Sequence, residues 1–169
     1  MNKETDLDIA VRDIRMEKLE LKQFVKNVQA LRNQKTVLKA VHHRLLDESY
    51  VKERSIYCAL IKEINDNESL TILWEMIGRE ETKGRRGSLL YAMENMNPVN
   101  YLEQLVDLAI NDNNEVMFNS LNIIDSLEGY IDGDTLESCI FKLKTTLKTT
   151  IPEWRREALA LLLEKFEEE

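Results

Sequence analysis

Residues 97–129 read NPVNYLEQLVDLAINDNNEVMFNSLNIIDSLEG, and the spacing of their apolar side chains decides the fold. Leu102, Leu105, Val106, Ala109 and Ile110 recur with the period of one helix face. Val116, Met117, Ser120, Leu121, Ile124 and Leu127 do the same after a polar break at Asn111-Asp112-Asn113-Asn114. Asn97-Pro98 is a helix start, with Asn as cap and Pro at the first helical position, where its missing N–H costs little. Gly129 is a stop. The stretch predicts two amphipathic helices separated by a turn rich in Asn and Asp.

The same pattern extends in both directions. Upstream, Leu89, Leu90 and Met93 line one helix, and Leu70, Leu73, Trp74 and Ile77 line the one before it, with Thr82-Lys83-Gly84 between. Asp47-Glu48-Ser49 caps a helix bearing Val51, Ile56, Tyr57, Leu60, Ile61 and Ile64, which stops at Asn65-Asp66-Asn67. Downstream, Asp134 with Glu137 reads as a capping box for a helix carrying Leu136, Cys139, Ile140, Leu143 and Leu147. Thr150, Pro152 and Glu153 start a last helix with Trp154, Ala158, Leu161, Leu162 and Phe166 on its stripe.

At the N-terminus, Thr5 followed by Asp8 is a start signal. Leu7, Ala10, Ile14, Leu21, Phe24, Val28 and Leu31 then recur at heptad spacing, which predicts one long amphipathic helix. Glu17 interrupts the seam, so the helix is expected against its own domain and not in a strict coiled coil. No Gly or Pro separates it from Val37, Leu38, Val41, Leu45 and Leu46, and any bend falls near Asn33.

With 169 residues, 43% hydrophobic and 32% charged content, five Gly and two Pro, the chain is predicted to be one all-α domain, residues 1–169. Residues 5–48 form its N-terminal helical segment and residues 49–169 its repeats. The opening residues lack the apolar core of a signal peptide, and the longest apolar run, Ala158 to Leu163, is too short to span a bilayer. A cytoplasmic protein without membrane contact is expected. Cys58 and Cys139 have no Cys or His at metal-ligand spacing and read as small core residues.

A small residue followed by Leu recurs in alternate helices, at Ala59-Leu60, Ser88-Leu89, Ser120-Leu121 and Ala158-Leu159. The intervening helices align through Leu73, Leu105 and Cys139. A small residue lets paired helices approach closely, and Leu fills the seam. On these residues, with the Asn/Asp-rich turn expected between hairpins (Asn111-Asp112-Asn113-Asn114) and a basic residue early in two helices (Arg54, Arg85), residues 49–166 resemble HEAT-like repeats. The resemblance implies an α-solenoid of helical hairpins, preceded by the long N-terminal helix, with alternate helices lining a concave side.

Charge gives the functional expectation. Net charge is −8, and between Gly87 and Phe141 stand ten acidic residues with no Lys, Arg or His. Such a surface repels phosphate backbones and suits a basic protein. Superimposing the helices of Leu73, Leu105 and Cys139 puts Glu103 level with Glu137, and Asp107 level with Glu75 and Phe141, with Tyr101 nearby. Glu75, Tyr101, Glu103, Asp107, Glu137 and Phe141 are therefore the candidate partner-binding residues, with carboxylates to steer and aromatic rings to anchor.

No catalytic residue, metal site or cofactor is expected. Adjacent His42 and His43 point about 100° apart on a helix and cannot share a metal as an i, i+4 pair does. Asp125, Glu128, Asp132, Asp134 and Glu137 do not follow a calcium-loop order and read as caps and solvated turn residues. Iron-binding HEAT-like enzymes carry His-Glu dipeptides, which this chain lacks. HEAT-like DNA base-excision enzymes need a basic cradle where this chain is acidic, and Trp74 and Trp154 read as core.

The reading is thus a non-enzymatic module that binds a basic protein. One form of it resembles bacterial immunity proteins, which block the basic cleft of a nuclease toxin. An assembly scaffold that dimerises through the N-terminal helix is the alternative, and a base-excision enzyme ranks last.

Overall fold

In the computed structural model, described over residues 6–30 and 33–168, every regular element is helical. The α-helices are α1 (Asp6–Arg15), α2 (Leu21–Ala30), α3 (Gln34–Leu46), α4 (Arg54–Ile64), α5 (Ser69–Gly78), α6 (Gly87–Met93), α7 (Leu102–Asn111), α8 (Asn114–Asp125), α9 (Gly133–Leu147) and α10 (Glu153–Glu168). Short 3-10 turns occupy Glu48–Glu53, Glu80–Thr82 and Val99–Tyr101. The chain divides into two compact units, Met1–Met96 and Asn97–Glu169. Thr5 and Leu31, both part of the expected N-terminal helix, lie outside the described residues.

The single long N-terminal helix is corrected to three helices. Lys18 N–H reaches back to Asp13 O (2.9 Å) and Glu17 N–H to Ile14 O (3.0 Å). This is the double closure of a Schellman end, with Glu17 in the left-handed region at φ 57°. Glycine usually fills that position, so the stop carried no residue signal. The second break falls before Gln34, beside the residue suited to a bend, Asn33.

Within the first unit, α2 packs on α3 and α4, and α1 also touches both. Leu7, Ala10 and Val28 of the heptad stripe are buried, with Val11 and Val25 beside them, while Ile14, Leu21 and Phe24 are half-buried, so the described part of the stripe rests on its own unit without being sealed by it. Arg44 of α3 holds Asp8 of α1 through two parallel hydrogen bonds of 2.9 Å. The same guanidinium lies over the Tyr50 ring. A two-pronged, part-buried pair of this kind fixes orientation as well as attraction. Further on, α3 packs on α4 and α5, and α4 packs extensively on α6. Tyr57, Leu60, Ile61, Leu73, Leu89, Leu90 and Met93 are sealed in that core.

In the second unit, α7 pairs with α8, α9 pairs with α10, and α7 also packs on α9. The turn at Asn111–Asn114 therefore sits inside a hairpin, not between hairpins, which shifts the expected pairing by one helix. Leu105 and Cys139, aligned from sequence, are both fully buried. So are Leu60, Leu89 and Leu159 of the small-Leu series, whereas in α8 Ser120 takes the sealed position and Leu121 is half-buried.

Two of the expected caps move. Asn97 does not cap α7; its side-chain amide receives Glu128 N–H (3.2 Å) and donates to Glu128 O (2.6 Å), clamping the end of the loop after α8. The cap of α9 is Asp132, accepting from Thr135 N–H at 2.9 Å, and not Asp134. Asn113 caps α8 through Val116 N–H (3.0 Å), and Asp47 accepts from Ser49 N–H (2.9 Å).

Because a side chain in the left-handed region costs about 1 kcal/mol, Glu17→Gly is expected to stabilise the first unit by up to that amount. Urea titration followed by circular dichroism checks this. A destabilised variant would mean that Glu17 supplies more than a helix stop.

Candidate functional site

The predicted site residues fall in both units. Glu75 sits in α5 of the first unit, where its carboxylate takes a 2.9 Å hydrogen bond from Arg79. Arg79 also donates to Leu46 O at the end of α3 (3.0 Å). Glu75 thus belongs to a local ion pair at a helix end. The other five lie in the second unit. Tyr101 closes the 3-10 turn that leads into α7 and is half-buried.

Glu103 and Asp107 lie one turn apart on α7, and both face a cation from α9. Lys142 Nζ donates to Asp107 Oδ2 at 2.8 Å and stands 3.7 Å from Glu103 Oε2. Burial alone would lower the Lys142 pKa, but the bond to Asp107 and the two carboxylate charges outweigh it, so the ammonium is held above its usual value. Phe141, the neighbour of Lys142 on α9, is 71% exposed. Glu137 lies one turn before Phe141 and is exposed. α7 and α9 therefore bring together Glu103, Asp107 and Lys142, with Phe141 and Glu137 alongside on α9.

The run of one charge in sequence is not a run of one charge in space. Lys142 serves Glu103 and Asp107, Lys165 reaches Asp125 (3.1 Å), and Lys62 pairs with Glu94. All three lysines lie outside the base-free stretch and arrive through helix packing. Lys142 directly follows Phe141, so its closeness in sequence was the available signal.

The remaining groups have structural partners. Ser69 Oγ, fully buried, lies 2.9 Å from His42 Nε2. A serine and a histidine at this distance invite a nucleophile reading, but a hydroxyl with no access cannot meet a substrate. Burial lowers the His42 pKa despite the charges of Asp66 and Glu68, which raise it. His43 is exposed. Burial pushes the Cys58 thiol to about 12 and the Cys139 thiol to about 11, with the Glu103 charge adding to the latter. Trp74 is half-buried, while Trp154, expected in the core, is 38% exposed and stacks on Phe118.

Sequence reasoning also missed a cleft of about 700 Å³ in the first unit, lined by Leu7, Phe24, Val28, Val37, Ala40 and His43 among others. Among the described residues, no three His, Cys, Asp or Glu side chains are grouped to hold a metal ion. Nor is any described helix long and apolar enough to cross a membrane.

No family model, curated protein or solved structure matches the chain.

His42 predicts a pH dependence. Its folded pKa lies below the unfolded 6.5, so the unfolded chain takes up the proton first. The fold keeps full stability above that value and loses it as pH falls through 6.5 toward the folded pKa. Thermal melts from about pH 7.5 to about pH 5 should show the wild type losing more than His42→Gln. Equal losses would remove His42 as the cause.

Proposed function

We propose that the chain is a non-enzymatic, HEAT-like protein-binding module that takes a basic protein partner on the α7–α9 surface of its second unit. The observation that carries this reading is the exposed Phe141 ring on α9, one turn from Glu137 and next in sequence to Lys142, which gathers Glu103 and Asp107 from α7. Glu103, Asp107 and Glu137 set a negative field, which Lys142 and, one turn beyond Phe141, Lys144 with its partner Glu167 offset in part. Phe141 supplies apolar area that desolvates on contact. Charge of this kind governs the rate of encounter, and an aromatic anchor governs how long the complex lasts. Tyr101, half-buried at the start of α7, belongs to the rim, and Glu75 belongs to the ion pair of the first unit.

Within this class, a stoichiometric inhibitor of the immunity type is the form that best suits a small acidic protein, its partner being the basic cleft of a toxin or nuclease. The scaffold alternative has less to draw on, because Leu7, Ala10 and Val28 of the stripe meant for dimerisation are buried within the first unit, which leaves Ile14, Leu21 and Phe24 half-buried. A base-excision activity is not favoured: the Trp154 ring stacks on Phe118, and Arg155, 5.2 Å from the centre of that ring, donates to the carbonyls of Ile110 and Asp112.

Lys142 provides the test. A partner is first isolated on the immobilised protein, and its association is then measured at two salt concentrations. Lys142→Gln should speed association by deepening the field, and Asp107→Asn with Glu103→Gln should slow it. Both effects should shrink as salt cuts the reach of the field to about 8 Å. Phe141→Ala should mainly speed dissociation. Exposed or half-exposed pairs contribute about 1 kcal/mol or less to stability, so melting temperatures should move little. Association unchanged in both charge variants and insensitive to salt would reject the reading.

A further inference from the structure

The second unit carries another apolar surface, formed by α8 and α10, that the α7–α9 surface does not use. Phe118 of α8 stacks on Trp154 of α10, with ring centroids 6.4 Å apart and planes inclined by 29°. Further along the same helices, Lys165 reaches Asp125 at 3.1 Å. The two contacts come in the same order along both helices, so α8 and α10 run in the same direction, bridged by these side chains. Phe118 is 52% exposed, Trp154 38% and Leu161 67%. Leu161 lies seven residues beyond Trp154, two helical turns on the same face, or about 10 Å.

Exposed carboxylates are in excess around this surface. Glu115 on α8 and Glu157 and Glu164 on α10 are exposed. Of the nearby cations, Lys165 reaches Asp125, Arg156 donates to the carbonyls of Leu147 and Thr149, and Arg155 donates to those of Ile110 and Asp112 with its guanidinium 5.2 Å from the centre of the Trp154 ring. A second copy of this chain would bring the same carboxylates against these, which disfavours self-association.

We infer that the α8–α10 face forms a shallow groove that docks a basic amphipathic helix of another protein. Its apolar residues, spaced i and i+7, meet the Phe118–Trp154 pair and Leu161, and its flanking Lys or Arg meet Glu115, Glu157 and Glu164. Recognition by an apolar stripe with charged flanks is a common helix-in-groove mode. The site is independent of the α7–α9 surface, so one module can hold two segments of a partner.

The test uses a fluorescein-labelled helical peptide with Leu on one face and Lys on the other, a second peptide with each Leu changed to Ser, and the full chain. Fluorescence anisotropy should show saturable binding of the first peptide only. Phe118→Ser and Leu161→Ser should each weaken it by about fivefold or more, as expected for an anchor residue. Both positions are exposed, and circular dichroism checks that the variants fold. Phe141→Ser should leave this binding unchanged. The inference is overturned if the Leu-less peptide binds equally well, if neither groove variant weakens binding, or if Phe141→Ser alone does so. It is also overturned if the wild type sediments as a dimer that Leu161→Ser dissociates, since the groove is then filled by a second copy.

Discussion

A helix of seven to sixteen residues, the range found here, is marginal or unstable alone in water, so each must bury its apolar stripe against a neighbour to persist. That constraint shapes both units. α7, only ten residues long, is covered by α8 on one side and α9 on another, and Leu102, Leu105, Val106 and Ala109 are sealed as a result. The ends of such helices then lie close together, and their unpaired carbonyls need donors. Arginines supply them across helix boundaries: Arg79 at Leu46 O in the first unit, and Arg155 at Ile110 O and Asp112 O in the second.

Charge follows from the same packing. Helix faces that lie side by side bring residues tens of positions apart into contact, as Lys142 with Asp107 and Lys165 with Asp125 demonstrate. An acidic stretch can thereby fold into a surface on which each lysine moderates a few carboxylates. What is left exposed around Phe141, and separately around Phe118, Trp154 and Leu161, is apolar area with carboxylates near it. Two such surfaces on one small unit are what the proposed binding role would draw on.

The helices themselves were legible because their stripes repeat: Leu73, Leu105 and Cys139 were aligned by pattern alone and all three are fully buried. The break after Arg15 was not legible, since the backbone closes on Asp13 and Ile14 without a glycine and Glu17 takes the left-handed position. Nor was the hairpin pairing, because the Asn111–Asn114 turn reads the same inside a hairpin as between two. Of the candidate site, Glu103 and Asp107 of α7 meet at Lys142 of α9, next to Phe141 in sequence, while Glu75 lies apart in the first unit. Lys142 was overlooked because it stands one residue past the stretch that defined the acid run. Trp154 was assigned to the core because its spacing matched a stripe whose edge, in the folded unit, faces outward.

The most direct measurement of the central claim is hydrogen–deuterium exchange of the chain with and without its protein partner. A recognition surface on α7–α9 predicts slowed exchange in residues 99–111 and 133–147, with the first unit unchanged. Protection confined to the first unit, or absent altogether in a saturated complex, would contradict it.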